Sequence, residues 1–407
     1  MVIANALLAR QGIYDSESTV KAYEVLYRCN EVMALENSSE EENDKASASV
    51  ISQLFSNLDF NRILNEKQAY INFTKNHIMQ NVPDILPKRR VVIELLENIE
   101  VDSAFVETVK GFHKRGFTFA LDDFVYSESW EPLLDYASII KVDVLNLSPA
   151  QIKDAIQPLS GFKGKLLAEK IEDYDTLMAC QDMGFVLFQG YYLDKPNLIR
   201  AAGISDDKMQ MIRLINQLQD PVCGLNDIAS TIMLQPKLSY RILRFANSAA
   251  FYSGRKYETL IDVINQLGLQ QIRNWASLLL LAIFDEVNED LLERTLIRAR
   301  CAELLASQVV KVNPQIAYTL GMFSTLDAMF NEPMDALLQK VQLSDEIKSA
   351  LLSRKGPLGQ LLTIVIDLEK GHFDNILKCK VPTDILTKTY VDSIHYAKST
   401  LQELYAT

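Results

Sequence analysis

FTFALDDF, residues Phe117 to Phe124, decides the reading of the first half of this chain: an apolar run behind Gly116 that stops at two adjacent carboxylates, Asp122 and Asp123. Its phenylalanines and threonine, bounded by a glycine, read as a short buried strand. Neighbouring strand residues point to opposite faces, so at most one of the two aspartates can look inward. Taken alone, the stretch reads more simply as a strand ending in a solvated turn, where aspartate is favoured. Recurrence weighs against that simpler reading, because an apolar run closing on a carboxylate or amide returns several times in the first 195 or so residues.

Working outward, Val20 to Arg28 alternates as a strand with Glu24 in its middle, and Gln68 to Phe73 (QAYINF) carries Asn72. Arg89 to Leu95 (RRVVIEL) leads to Glu94, with Glu97 three positions on. Tyr136 to Val144 is interrupted by Lys141 and Asp143. Lys165 to Glu169 (KLLAE) and Phe185 to Tyr191 (FVLFQGY) bring Glu169 and Gln189. Helical spacing falls between the runs, at Ser49 to Asn65, Ala104 to Lys114 and Tyr174 to Met183. About eight alternations of strand and helix predict parallel β/α units closed into a TIM-type barrel. Glu36 to Asp44 (ENSSEEEND) reads as a solvated loop.

In such a barrel chemistry sits at the C-terminal ends of the strands, where these polar residues fall. Several carboxylates and a carboxamide at one mouth suit hard divalent cations such as magnesium or manganese. Without a cation, apposed acids would repel one another and hold protons. A metal pair would relieve that repulsion and could activate water for phosphodiester hydrolysis. Singly, each residue has a plainer reading. Lys141 reads as a surface lysine, Gln189 before Gly190 as a turn residue, Arg28 as an ion-pair partner, and Asn72 as a helix cap with Thr74 as its rival.

The composition sets the frame. The chain has 407 residues, 48% hydrophobic and 23% charged, ordinary for a globular protein of two or three domains. A net charge of −12 speaks against broad adhesion to a nucleic-acid polymer. Five scattered cysteines (Cys29, Cys180, Cys223, Cys301, Cys379) give neither a disulfide framework nor a zinc pattern. The opening residues lack the marks of a signal peptide, and the longest apolar run, Ala276 to Phe284, is too short to span a bilayer, so a cytoplasmic protein is expected.

Beyond Pro196 the pattern changes. Asn197 to Asp207 reads as a linker, and from Lys208 onward the spacing is helical almost throughout. Ile261, Ile264 and Leu267 end at Gly268, an expected C-cap. The expected fold is therefore α/β plus all-α, with a barrel at 1–197, a linker at 198–207 and a helical domain at 208–407.

The strings EVLYR (Glu24 to Arg28), INF (Ile71 to Phe73), IELLE (Ile93 to Glu97), LDDF (Leu121 to Phe124), KVD (Lys141 to Asp143), AEKIE (Ala168 to Glu172) and QGYYLDKP (Gln189 to Pro196) resemble, in family order, the EAL family. Its members are cyclic-di-GMP phosphodiesterases or their inactive relatives. The resemblance implies that Glu24, Asn72, Glu94 and Asp122 hold one metal ion, while Asp123 and Glu169 serve a second. It also implies that Lys141 positions the attacking water with support from Gln189. Arg28 would hold a substrate phosphate, Glu97 would brace the loop after the paired aspartates, and Glu172 matches the second acid of the AExxE string, on the substrate side. The implied reaction opens cyclic-di-GMP to linear pGpG.

Four departures mark the chain. EVL stands where the family has EAL, VYSESW (Val125 to Trp130) replaces a glycine-rich loop, and Lys170 replaces the glycine of AEGxE. The region between Glu24 and Asn72 is also shortened.

QPKLSYRILRFANSAAF (Gln235 to Phe251) and LIDVINQLGLQQIR (Leu260 to Arg273) resemble the HDOD family. None of the four histidines (His77, His113, His372, His395) lies in that core, so metal hydrolysis is not expected there. Asn247 and Ser248 read as polar groups fixing a helix turn. The run Trp275 to Phe284 reads either as a partner-binding surface or, preferably, as a buried core helix.

The expected partners are thus cyclic-di-GMP, a protein met by the HDOD half, and a second copy of the chain. A scaffold or nucleotide receptor that no longer hydrolyses is the alternative. Glycoside hydrolysis by paired carboxylates leaves Asn72, Lys141 and the motif order unexplained.

Overall fold

A hairpin opens the structure, a computed structural model that describes residues 6–29, 64, 66–190, 206–220, 222–247, 257–283, 289–330, 332–379 and 381–405. Strands β1 (Ala6–Tyr14) and β2 (Val20–Cys29) run antiparallel, and Asp15 shapes the turn between them by accepting from the Glu17 and Thr19 amides at 3.0 and 2.9 Å. The remaining strands are β3 (Gln68–Phe73), β4 (Val91–Leu95), β5 (Thr118–Leu121), β6 (Ile139–Asp143), β7 (Lys165–Glu169) and β8 (Leu187–Phe188). From β2 onward each pairs parallel with the next, and β8 closes on β1 antiparallel, giving a closed eight-stranded barrel in chain order. The expectation of parallel units therefore needs one correction. β1 is reversed, because a connection of the length of Asp15–Thr19 allows a hairpin and not a crossover.

Helices α1 (Lys75–Met79), α2 (Ser103–Lys114), α3 (Glu131–Leu134), α4 (Pro149–Ile156) and α5 (Tyr174–Asp182) fall between successive strands. Asp102, Ser148 and Asp173 cap α2, α4 and α5 through their side chains. Thr74 caps α1, in a capping box with His77, which releases Asn72 for the barrel mouth. The helix expected at Ser49 to Asn65 and the acidic run Glu36 to Asp44 lie outside the described residues, Leu64 excepted.

The barrel interior is built in layers. Ile13, Ala22, Tyr70, Val92, Ala120, Ile139, Leu167 and Leu187, one from each strand, form a buried inner cluster. Strand side chains alternate between faces, so the residue two positions on looks into the same interior, one layer higher.

The chain divides into two compact units: residues 1–197 with Leu368–Phe373 and Pro382–Lys388, and residues 198–367 with Asp374–Val381 and Thr389–Thr407. The second unit is helical over its described residues. Its helix Leu260–Leu267 ends at the C-cap Gly268, whose φ of +84° with a ψ of 157° is a conformation open to glycine because it has no Cβ. Asn247 bridges two stretches of chain, donating to the Leu243 and Tyr257 carbonyls and accepting from the Tyr257 amide. Ser248 lies outside the described residues.

Within the helix Leu269–Ile283, Trp275, Ala276, Leu278, Leu279 and Leu280 are all buried. That part of the run is core, and the partner-surface reading of it is withdrawn. Among the described residues no helix is long and apolar enough to cross a membrane.

Candidate active site

Counting two residues up from the inner apolar cluster gives, on β2 to β8 or the turns that follow them, Glu24, Asn72, Glu94, Asp122, Lys141, Glu169 and Gln189. The period of the strand brings these seven sequence-predicted residues onto one interior layer, at the barrel's C-terminal mouth. Register agrees: Asn72 lies opposite Glu94, and the Asp122 amide donates to the Leu95 carbonyl at 3.0 Å.

Lys141 is the hub. Its side chain is 1% exposed, and Nζ lies 2.6 Å from Glu94 Oε1, 2.6 Å from Asp122 Oδ1, 3.0 Å from Glu169 Oε1 and 3.5 Å from Glu24 Oε2. An ammonium so buried would cost several kcal/mol without such partners. The surface reading of this lysine is corrected. Gln189 Nε2 donates to Glu24 Oε2 at 2.7 Å, and Asn72 Nδ2 to Glu24 Oε1 at 3.4 Å, so Glu24 is held from both sides.

Charge is crowded here, with four carboxylates around one ammonium. Burial raises the pKa of Glu94 well above the usual carboxylate range, and the charges of Glu24 and Asp122 add to it against the pull of Lys141. Burial likewise raises Asp122, and pushes Glu169 up to about 8 with help from Asp122 and Glu24. For Lys141, burial works downward and is outweighed by the four carboxylates, which hold the ammonium firmly protonated.

Three buried acceptors in this layer have no hydrogen-bond partner: Glu94 Oε2, Glu169 Oε2 and Gln189 Oε1. Unsatisfied buried acceptors are uncommon and call for an explanation. Among the described residues no three Asp, Glu, His or Cys stand ready as a metal cage. The Lys141 ammonium occupies the point on which the carboxylates converge. The donor set nevertheless fits a hard divalent ion, being all oxygen, in excess of its one counter-cation, and with acceptors to spare.

Asp123 stands apart from this group. Its φ of +42° turns the chain sharply after Asp122, and its Oδ1 lies 3.4 Å from Lys170 Nζ. Lys170 also binds Asp143 Oδ2 at 2.5 Å and keeps a φ of +58°, a backbone conformation suited to glycine. Asp123 and Glu169, matched to one metal by the resemblance, are therefore partnered by different lysines.

The loop after them has no left-handed residue between Val125 and Trp130. Phe124 and Trp130, 6.2 Å apart edge to face, are buried at its ends, while Val125 is 82% exposed. Glu97 and Glu172 are exposed and not drawn into the cluster. The backbone of Arg28 lies in β2, one residue before its end, and its side chain lies outside the described residues.

Two residues escaped the sequence reading. Tyr70, two positions before Asn72, lies buried in the apolar layer, where burial and the charge of Glu94 raise its pKa and keep the phenol protonated. Gln11 faces Glu24 across the hairpin. Alternation in QAYINF was the signal for the first, whereas the second needed the direction of β1. At the opposite end of the barrel, Lys21, Gln68, Phe162 and Lys165 line a cavity of about 600 Å³. In this architecture that end serves stability.

Residues 208–345 match the HDOD domain family. The cyclic di-GMP phosphodiesterase CdgJ of Vibrio cholerae is 28% identical over 373 residues, covering 91% of this chain and 86% of its own. YuxH of Bacillus subtilis is 29% identical over 377 residues, covering 90% and 91%. Among solved structures, the calcium and cyclic-di-GMP complex of BlrP1 from Klebsiella pneumoniae matches 46% of this chain at 21% identity with a TM-score of 0.38. That match covers 54% of the BlrP1 chain, so this chain spans about half of its length.

Proposed function

We propose that the chain joins an EAL-type barrel to an HDOD domain, that the barrel hydrolyses cyclic-di-GMP to linear pGpG with magnesium or manganese, and that the helical half regulates it or docks a protein partner. On this reading residues 1–197 are the catalytic barrel, 198–207 the connection and 208–407 the regulatory part of a cytoplasmic protein. The observation that carries the proposal is the single polar layer of Glu24, Asn72, Glu94, Asp122, Lys141, Glu169 and Gln189, with orphaned buried acceptors inside it.

Glu24, Asn72, Glu94, Asp122 and Glu169 are the residues that would hold a divalent ion, while Asp123 stands apart beside Lys170. Such an ion would supply Lewis-acid polarisation of a phosphoryl oxygen. Lys141, held protonated by its carboxylates, cannot act as a base. It donates, orienting water and countering charge on the phosphate. Without an ion, burial pushes Glu169 up to about 8, so near neutrality it keeps its proton until a bound ion draws it into the ionised form. Gln189 fixes Glu24 through Nε2 and keeps Oε1 for accepting from water. Arg28 is assigned to a substrate phosphate, Glu172 to the substrate side and Glu97 to the loop.

Incubation of the purified chain with cyclic-di-GMP and manganese, followed by chromatography, tests this. pGpG is expected from the native protein and none from Glu24→Ala. One observation favours a second reading, a receptor that binds without cleaving: Lys141 fills the centre of the carboxylates. Tight, metal-independent nucleotide binding with no pGpG would establish that reading instead.

A further inference from the structure

We propose that the barrel mouth holds a single divalent ion, on its inner carboxylates, and that the ammonium of Lys170 takes the place of a second. This rests on the phosphodiesterase reading and narrows it.

Two lysines divide six carboxylates between them. Lys141 serves Glu24, Glu94, Asp122 and Glu169, all within the barrel layer. Lys170 serves Asp123 and Asp143 on the rim, where the three side chains are 48%, 39% and 34% exposed respectively. The two groups differ in what they leave unsatisfied. The inner one has four acids to one cation, and the buried orphans Glu94 Oε2, Glu169 Oε2 and Gln189 Oε1 belong to it. An ion there gains acceptors that nothing else uses.

The outer group has two acids to one cation. Both Asp143 oxygens are engaged, one by Lys170 and the other by the Leu145 amide at 2.8 Å. Water reaches the rest. A second ion at Asp123 would have to displace Lys170 or sit beside a like charge, which opposes binding. Lys170 directly follows Glu169 and holds its left-handed φ of +58° although it is not glycine, so the local backbone carries this side chain at the rim against its own preference.

Manganese titration of the metal-free chain, with free ion counted by its electron paramagnetic resonance signal, reads the stoichiometry without any substrate. The native chain should bind one ion, Glu94→Gln none, and both Lys170→Gly and Lys170→Met two. Glycine relieves the backbone at this position, and methionine keeps the bulk while removing the charge. Two ions in the native chain would overturn the inference and leave the phosphodiesterase reading standing. One ion in every Lys170 variant, or two in Lys170→Gly with one in Lys170→Met, would also overturn it, the latter by tracing the effect to volume. An ion retained by Glu94→Gln would place the site elsewhere and defeat it too. No ion in any of these proteins would defeat both readings.

Discussion

Lys141 shows how far a single residue's meaning depends on its neighbours. In sequence it interrupts an apolar strand; in the barrel its ammonium is the counter-charge that lets Glu24, Glu94, Asp122 and Glu169 share one layer. The compensation is partial, and the acids answer by holding protons, Glu169 up to about 8. The sign of the linkage follows. In the unfolded chain these carboxyls ionise near their ordinary values, while in the folded barrel Glu94, Asp122 and Glu169 keep protons to higher pH. Between about pH 5 and 8 the native state binds more protons, so metal-free stability should fall as pH rises through that window. Thermal unfolding in chelator should show the melting temperature dropping across it. Manganese should reverse the trend, because the ion requires the ionised carboxylates. A chelated protein whose melting temperature is flat or rises from pH 5 to 8 would show that the layer is not frustrated in this way.

At the level of elements, the site was legible because a strand writes its inward face every second residue. Once Asp122 pointed inward, Ala120 had to lie beneath it, and the same step links Tyr70 to Asn72 and Leu187 to Gln189. Strand direction is not written in that period, which is why β1 and with it Gln11 were missed; the short Asp15–Thr19 connection was the available signal. Of the run Phe185 to Tyr191 that the sequence predicts as the last strand, only Leu187–Phe188 is strand, and Gly190 has a φ of +151°. There the Ile171 amide donates to the Gln189 carbonyl at 3.1 Å, and a Cβ on Gly190 would lie 2.2 Å from the Ile171 nitrogen. Gly190→Ala should therefore push the segments after β7 and β8 apart, costing about 1–3 kcal/mol from the backbone conformation alone. It should also weaken ion binding by shifting Gln189 from Glu24. Urea unfolding and manganese titration of the variant measure the two effects, and an alanine variant with native values in both would remove the close approach from the account.

Over the whole molecule the balance of charge is the feature that sequence alone already determined. The chain carries −12, and the ligand proposed for its barrel is itself an anion while the proposed ion is a cation. A net field of one sign acts on the two in opposite senses, and salt screens it beyond a Debye length of roughly 8–10 Å near physiological ionic strength. Raising salt should then slow manganese capture and weaken its affinity, while speeding the association of cyclic-di-GMP with the ion-loaded protein. Local cations at the mouth oppose this for the nucleotide, since Lys141 and Lys170 lie within the layer and at its rim. Their reach is short, and each already answers to carboxylates, so the long-range term should decide the encounter. Stopped-flow association at about 50 and 300 mM salt separates the two contributions. A nucleotide on-rate that falls with salt would mean that a local positive funnel, and not the net charge of the chain, governs approach to the barrel.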